Sequence, residues 1–358
     1  MKRQINFSAG PAEMPAEVLH EASKAVKKFG STGSSILELS HRSKEFMDIV
    51  EESKTLVKQL CGIGSDYDVL WMQGGGRLQF CMIPMNFLDA KGAAGYLDTG
   101  HWADEAQQYA ANYGKADVLA SSKKANYNHL PEWPKKVPAS LSYLHITTNN
   151  TIYGTQWQTI GESGAPLVAD MSSDIFSGKR DYTRYAMFYA AAQKNLGAAG
   201  NTLAVIRKDF LARAKNELPP MLSYKANVKE NSILNTANVF GVYVSLLTLR
   251  WIKEKGIATI EKENKAKAKL LYDALDSSKV FTPHVKEKTH RSRMNVCFTT
   301  ANAKQEKAFL EFCDARDITG IKGHRLAGGF RASLYNAIEL SSVERLVAVM
   351  NEFEAQAV

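Results

Sequence analysis

The chain has little cysteine and little proline, and it has no long apolar run. Its 358 residues hold four cysteines, Cys61, Cys81, Cys297 and Cys313, far apart and with no C-x-x-C pair. That spacing argues against a disulfide framework and against a zinc or other metal site. No apolar stretch reaches the ~18 residues of a membrane span, so no membrane partner is expected. The opening "MKRQINFSAGPAEMP" lacks the apolar core of a secretory signal. With the unpaired cysteines, that predicts a cytoplasmic location. The nucleotide signatures G-x-x-x-x-G-K-[ST] and G-x-G-x-x-G are missing as well.

Charge is present with both signs mixed. Lys and Arg number 45 and Asp and Glu 37, a formal net charge of +8. The basic residues are spread along the chain, and the densest stretch, "IEKENKAKAKLL", alternates in sign as a solvated helix face does. Nucleic-acid binders gather their basic residues on one face or tail. The excess therefore points to small anionic ligands and not to nucleic acid.

Apolar runs at 67–73, 93–98, 116–120, 142–148, 166–170, 186–192 and 202–206 read as seven strands. Several are continuous rather than alternating, as strands covered on both faces are. Helical stretches such as "RLQFCMIPMNFL" and "WADEAQQYAANYG" fall between them, and two capped helices precede them. The pattern predicts an α/β fold with a mostly parallel seven-stranded sheet flanked by helices. After a long, largely buried helix over 238–256 the style changes to a smaller α+β pattern. The expected division is a large domain over 1–255, N-terminal arm included, and a small C-terminal domain over 256–358.

Ligands of such sheets bind beyond the carboxyl ends of the strands. After "YDVLWMQ" comes "GGGR" (74–77), then a helix. Three glycines before a helix N-terminus make either a tight turn or a cradle for an anion, most naturally phosphate. After "AAGYLD" comes Trp102, a core residue or a cover for a planar ligand. Asp170 ends "PLVAD", where it caps the next turn or pairs with a buried cation. Lys194 is the only charge between Arg184 and Arg207, and it sits among alanines and glycines. Alone, such a lysine points to water; desolvated, it loses its proton and attacks carbonyls. Cradle, aromatic cover, buried carboxylate and sheltered amine together describe a site for pyridoxal phosphate. Lys194 would capture its aldehyde, and Asp170 would face the protonated ring nitrogen.

The segments "NFSAGP", "SHRSKEF", "GGGR", "GHW", "NNTIYG", "VADMSS", "AQKNLGAAG", "RSRMNV" and "KGHRLAGGFRASLYNA" carry a resemblance that spans about residues 5 to 355. The chain resembles the phosphoserine aminotransferases, a family within the class-V aminotransferases of fold type I. The resemblance implies a homodimer with shared active sites. It implies transamination between L-glutamate and 3-phosphohydroxypyruvate, giving 2-oxoglutarate and O-phosphoserine in serine biosynthesis. A related phosphorylated keto acid on the route to vitamin B6 stays open as a further substrate. By the same resemblance Lys194 forms the Schiff base, Asp170 faces the pyridine nitrogen, Trp102 stacks on the ring and Thr151 bonds its phenolic oxygen. Gly76, Arg77 and Gln193 hold the cofactor phosphate, helped by Asn235 and Thr236 of the partner chain. Arg331 is the candidate for the substrate α-carboxylate, and His41, Arg42, His324 and Arg325 for the phosphate or distal carboxylate. Arginine suits both groups because it meets them bidentately.

Two positions depart from the family pattern. Ala9 stands where relatives often carry Ser or Asn, and Ala237 and Asn238 stand where many carry prolines. Other class-V enzymes, the serine–glyoxylate transaminases and cysteine desulfurases, share the lysine and aspartate. A desulfurase also needs a mobile reactive cysteine, which Cys297, in an expected strand, and Cys313, in an expected helix, do not offer.

Overall fold

The computed structural model describes residues 4–357. In chain order its elements are β1 (Ile5–Asn6), α1 (Ala16–Lys27), α2 (Lys44–Cys61), β2 (Tyr67–Gln73), α3 (Gly76–Phe87), β3 (Ala93–Asp98), α4 (His101–Ala110), β4 (Lys115–Ser121), β5 (Leu144–Thr147), β6 (Leu167–Asp170), β7 (Met187–Ala191) and β8 (Asn201–Arg207). There follow α5 (Lys208–Ala212), α6 (Tyr224–Lys229), α7 (Val239–Lys255), α8 (Ile257–Ser277), β9 (Thr282–Pro283), β10 (Asn295–Thr299), α9 (Ala303–Asp314), β11 (Ile318–Thr319), β12 (Phe330–Ser333) and α10 (Leu340–Ala357).

Local chemistry sets the helix ends. Ser43 Oγ accepts from Phe46 N at 3.2 Å to start α2, and Gly62, at φ 64°, ends it in the left-handed region. Asn238 Oδ1 accepts from Gly241 N at 3.0 Å to start α7. Asn238 thus replaces a proline's fixed φ with a side-chain cap.

The large sheet has seven strands in the order β2-β8-β7-β6-β5-β3-β4. β8 runs antiparallel to both its neighbours, and the other pairings are parallel. Its direction was not legible in the run "TLAVI": period and apolarity are the same for either orientation. Because successive side chains of a strand alternate, each run feeds two layers. Ala169 and Phe188 pack toward α1, α2 and α7, in one core. Val168, Met187 and Tyr189 pack with α3 and α4 in another. Leu246, Leu249 and Ile252 of α7 are almost fully buried. Each contributes about 1.5–3 kcal/mol relative to exposure.

A third cluster joins α8, α9 and α10 to the antiparallel sheet β12-β10-β9, around Phe281, Phe298, Phe309, Phe330 and Phe353. Phe7 of the N-terminal arm belongs to this cluster, and β1 pairs with β11 in parallel. The arm therefore reaches the C-terminal part of the chain on its way past the sheet. The two-residue strands β1, β9 and β11 are too short to leave a period in the sequence.

Among the described residues no helix is long and apolar enough to cross a membrane. The sheet order brings the ends of β2, β3, β5, β6 and β7 to one edge, where β8 begins: Gln73 stands opposite Asn201, and Thr147 opposite Asp170.

Candidate active site

Asp170 is the last residue of β6 and is 7% exposed. Its Oδ1 accepts from Ser172 N at 2.8 Å, and Ser172 Oγ accepts from Ala191 N at 3.0 Å. The carboxylate is thereby locked to the end of β7. Burial raises its pKa above the ordinary aspartate value, while the Lys194 cation pulls it back down.

Lys194 lies three residues beyond β7, in the turn to β8. Asn195 anchors that turn: its Nδ2 donates to Ile175 O at 3.2 Å, and its Oδ1 accepts from Asn336 N at 3.1 Å. Gly197, at φ 131°, lets the chain pass with only 3.1 Å between its missing Cβ and Val244 Cγ1. The Lys194 side chain is half-buried. Burial lowers its pKa, Asp170 opposes that shift and Arg331 adds to it, leaving the amine at about 8. Amine and carboxylate are thus both pushed toward their neutral forms.

Gly75 precedes α3 as its N-cap, and Gly76 opens the helix. A Cβ on Gly76 would stand 3.6 Å from Ser172 Oγ and 3.9 Å from Asp170 Oδ2. Glycine keeps that space free for a ligand. Trp102, at the start of α4, donates from Nε1 to Thr151 Oγ1 at 2.8 Å, and Arg331 Nη1 donates to Thr151 O at 3.1 Å. The Arg77 guanidinium lies 5.2 Å from the centre of the Trp102 ring. Gln193 holds the N-terminal arm, its carbonyl accepting from Ala12 N at 2.9 Å. Ala9 O accepts from Tyr335 Oη at 2.8 Å, so the backbone here is fixed without a polar side chain at position 9.

One cavity of about 520 Å³ gathers Gly76, Arg77, Trp102, Thr151, Asp170, Gln193, Lys194, His324 and Arg331. These residues come from six segments of the chain. Five expected residues are not among its lining. Arg325 is exposed beside His324. His41 and Arg42 lie in the turn before α2, Asn235 lines a separate cavity against Val50 and Trp71, and the Thr236 carbonyl accepts from Gln73 Nε2. A single chain does not assemble these four with the rest. Thr147, Ser172 and Tyr335 escaped the sequence reading. For Ser172 the available signal was its place two residues after a strand-ending Asp, where an N–H meets the carboxylate; the other two had none.

The residues fit pyridoxal phosphate by the cavity itself. An amine of lowered pKa and a buried carboxylate face one space, the glycine at its floor carries no side chain, and Thr147 Oγ1 and Arg331 Nε are buried there without partners. Buried polar atoms of that kind call for a polar ligand.

The fold and the site's residues are those of one class of enzyme, the class-V aminotransferases. Residues 4–346 match the family model of the class-V aminotransferases, and the chain belongs to that family. It is 45% identical to the phosphoserine aminotransferase of Geobacillus kaustophilus over 360 residues, 99% of each chain. Against the phosphoserine aminotransferase of Bacillus subtilis it is 42% identical over 357 residues, again 99% of each. Among solved structures, phosphoserine aminotransferase from Bacillus circulans subsp. alkalophilus superposes with a TM-score of 0.96 at 40% identity, covering 100% of both chains. The PLP-bound phosphoserine aminotransferase of Trichomonas vaginalis gives 0.89 at 34% identity, covering 98% of this chain and 100% of that one.

Proposed function

We propose that this protein is a phosphoserine aminotransferase that exchanges the amino group between L-glutamate and 3-phosphohydroxypyruvate with pyridoxal phosphate as cofactor. Identity of 42–45% along the whole chain supports the reading. The observation that carries it is the pairing of Lys194 and Asp170 in one cavity with two cationic or polar anchors, His324 and Arg331, at its wall.

Pyridoxal phosphate, when bound, supplies an aldehyde for amine capture and a ring that takes up an electron pair. Lys194 Nζ is the amine that would hold it, and the same nitrogen, once free, takes the proton from the substrate α-carbon. Its pKa of about 8 keeps a useful neutral fraction near pH 7. The Asp170 carboxylate would hold a proton on the ring nitrogen. Gly76, Arg77 and Gln193 would hold the phosphate group, Trp102 would cover the ring, and Thr151 would meet its oxygen. Arg331 would orient the α-carboxylate, with His324 and Arg325 at the distal anion. His41, Arg42, Asn235 and Thr236 would complete the site from a second copy, which makes the working unit a homodimer. We assign the catalytic body to residues 1–255 and the smaller part to 256–358. The cytoplasmic location rests on four cysteines that are all free, three of them buried. The related keto acid of vitamin B6 synthesis has the same phosphate handle and is a second candidate substrate.

Cysteine desulfurase chemistry is not supported. Burial pushes the Cys297 and Cys313 thiols up to about 12, far from a reactive thiolate. The test is a steady-state assay of 3-phosphohydroxypyruvate against hydroxypyruvate with glutamate as donor. Two charge-assisted contacts of about 1.5 kcal/mol or more each predict a preference of at least roughly a hundredfold in kcat/KM. Equal values for the two keto acids would overturn the assignment.

A further inference from the structure

His101 and Glu105 have no part in the roles assigned above. His101 opens α4, and Glu105 lies one helical turn on, on the same face. Glu105 Oε2 accepts from Arg77 Nε at 3.1 Å and stands 3.7 Å from His101 Nε2. The carboxylate side chain is only 17% exposed, so water screens it little. The His101 ring lies 4.9 Å from that of Trp102 on one side. On the other it lies 6.2 Å from the His324 ring, with 29° between the planes.

His324 is held from its own loop as well. Its Nδ1 accepts from Leu326 N at 3.3 Å, and its carbonyl accepts from Gly328 N at 2.9 Å. Nε2 is the nitrogen left to meet a ligand. The ring has Arg331, His101 and Arg325 as charged neighbours, all cationic or able to become so. Burial and these three cations hold its pKa below the ordinary histidine value.

We infer that His101 and Glu105 are positioning residues for the anions of the site: Glu105 ties Arg77, on the cofactor-phosphate side, and His101 to one carboxylate, and the His101 ring backs His324, on the side of the substrate's distal anion. The inference rests on the aminotransferase reading given above. One acidic group then sets two arms of the cavity mouth, the arginine at the start of α3 and the histidine of the 324–329 loop. It also offsets charge that would otherwise gather unopposed around His324.

The holoenzyme tests this with His101→Ala, His101→Phe and Glu105→Gln. His101→Ala should raise KM for 3-phosphohydroxypyruvate by about tenfold, because His324 loses the ring that backs it and its own charge-assisted contact with the substrate slackens, while kcat stays within about twofold. His101→Phe restores a ring but no charge, so it should recover most of that KM. In the same variant the His324 resonance should titrate at higher pH than in the wild type, because one depressing cation is gone. Glu105→Gln keeps the side chain's size and frees both partners, and should raise KM in the same sense. A wild-type His324 titration in His101→Phe, or a wild-type KM in both His101→Ala and Glu105→Gln, would overturn the inference, as would a fall in kcat with KM unchanged. If the wild type itself fails to discriminate the phosphorylated keto acid, the functional reading falls instead. The His324 titration still reports on the ring pairing in that case.

Discussion

The lowered pKa of Lys194 can be measured in the cofactor-free protein by trace acetylation with acetic anhydride, which reacts only with the neutral amine. At pH 7 an amine titrating at about 8 is roughly 9% neutral, whereas an ordinary lysine is about 0.03–0.04% neutral, so the reactive fraction of Lys194 should be roughly 200–300-fold larger, and its acetylation faster even though a less basic amine is the weaker nucleophile. Mass spectrometry of the Lys194 peptide, with an exposed lysine such as Lys135 as internal reference, gives the rate at each pH. The rate should rise with a midpoint near 8. Two variants fix the sign. Asp170→Asn removes the anion that favours the ammonium, so the midpoint should fall below 8. Arg331→Gln removes a cation that disfavours it, so the midpoint should rise. The physical basis is burial first and neighbouring charge second. A midpoint near 10 in the wild type, or the same midpoint in all three proteins, would refute the account of the site.

Lys194→Ala should abolish transamination, by more than about a thousandfold, and should remove the visible absorption of the bound cofactor; turnover that survives denies the lysine its role. Gly100→Ala forces a side chain onto a backbone at φ 148° and places its Cβ 2.2 Å from Asn150 Nδ2. It should cost about 3 kcal/mol or more, read as a fall in denaturant midpoint, and should displace Trp102 two residues on. Lys267→Met removes an ammonium, fully buried in α8, that donates to the carbonyls of Leu334, Tyr335 and Ile338 at 3.1, 2.9 and 2.8 Å. Leaving those acceptors without a donor should destabilise the protein by about 3 kcal/mol in thermal or chemical unfolding.

The amino-acid sequence by itself determined the seven strands of the large sheet, most of the helices and the choice of Asp170 and Lys194 as candidates, which the fold brings into one cavity. Continuous apolar runs specify strands buried on both faces, and small residues around Lys194 specify a place where a ligand can approach the backbone. Those signals are local, carried by side-chain type and spacing, and so they are legible one segment at a time. The direction of β8, the short pairings of β1 and β9 and the docking of Phe7 among C-terminal residues were decided by tertiary contacts that leave no period. The same holds for the site. That Asp170 is locked by Ser172, that Lys194 titrates near 8, and that Glu105 joins Arg77 to His101 depend on groups far apart in the chain. Desolvation and Coulomb interaction act through space, so their sizes exist only once the chain has folded around them.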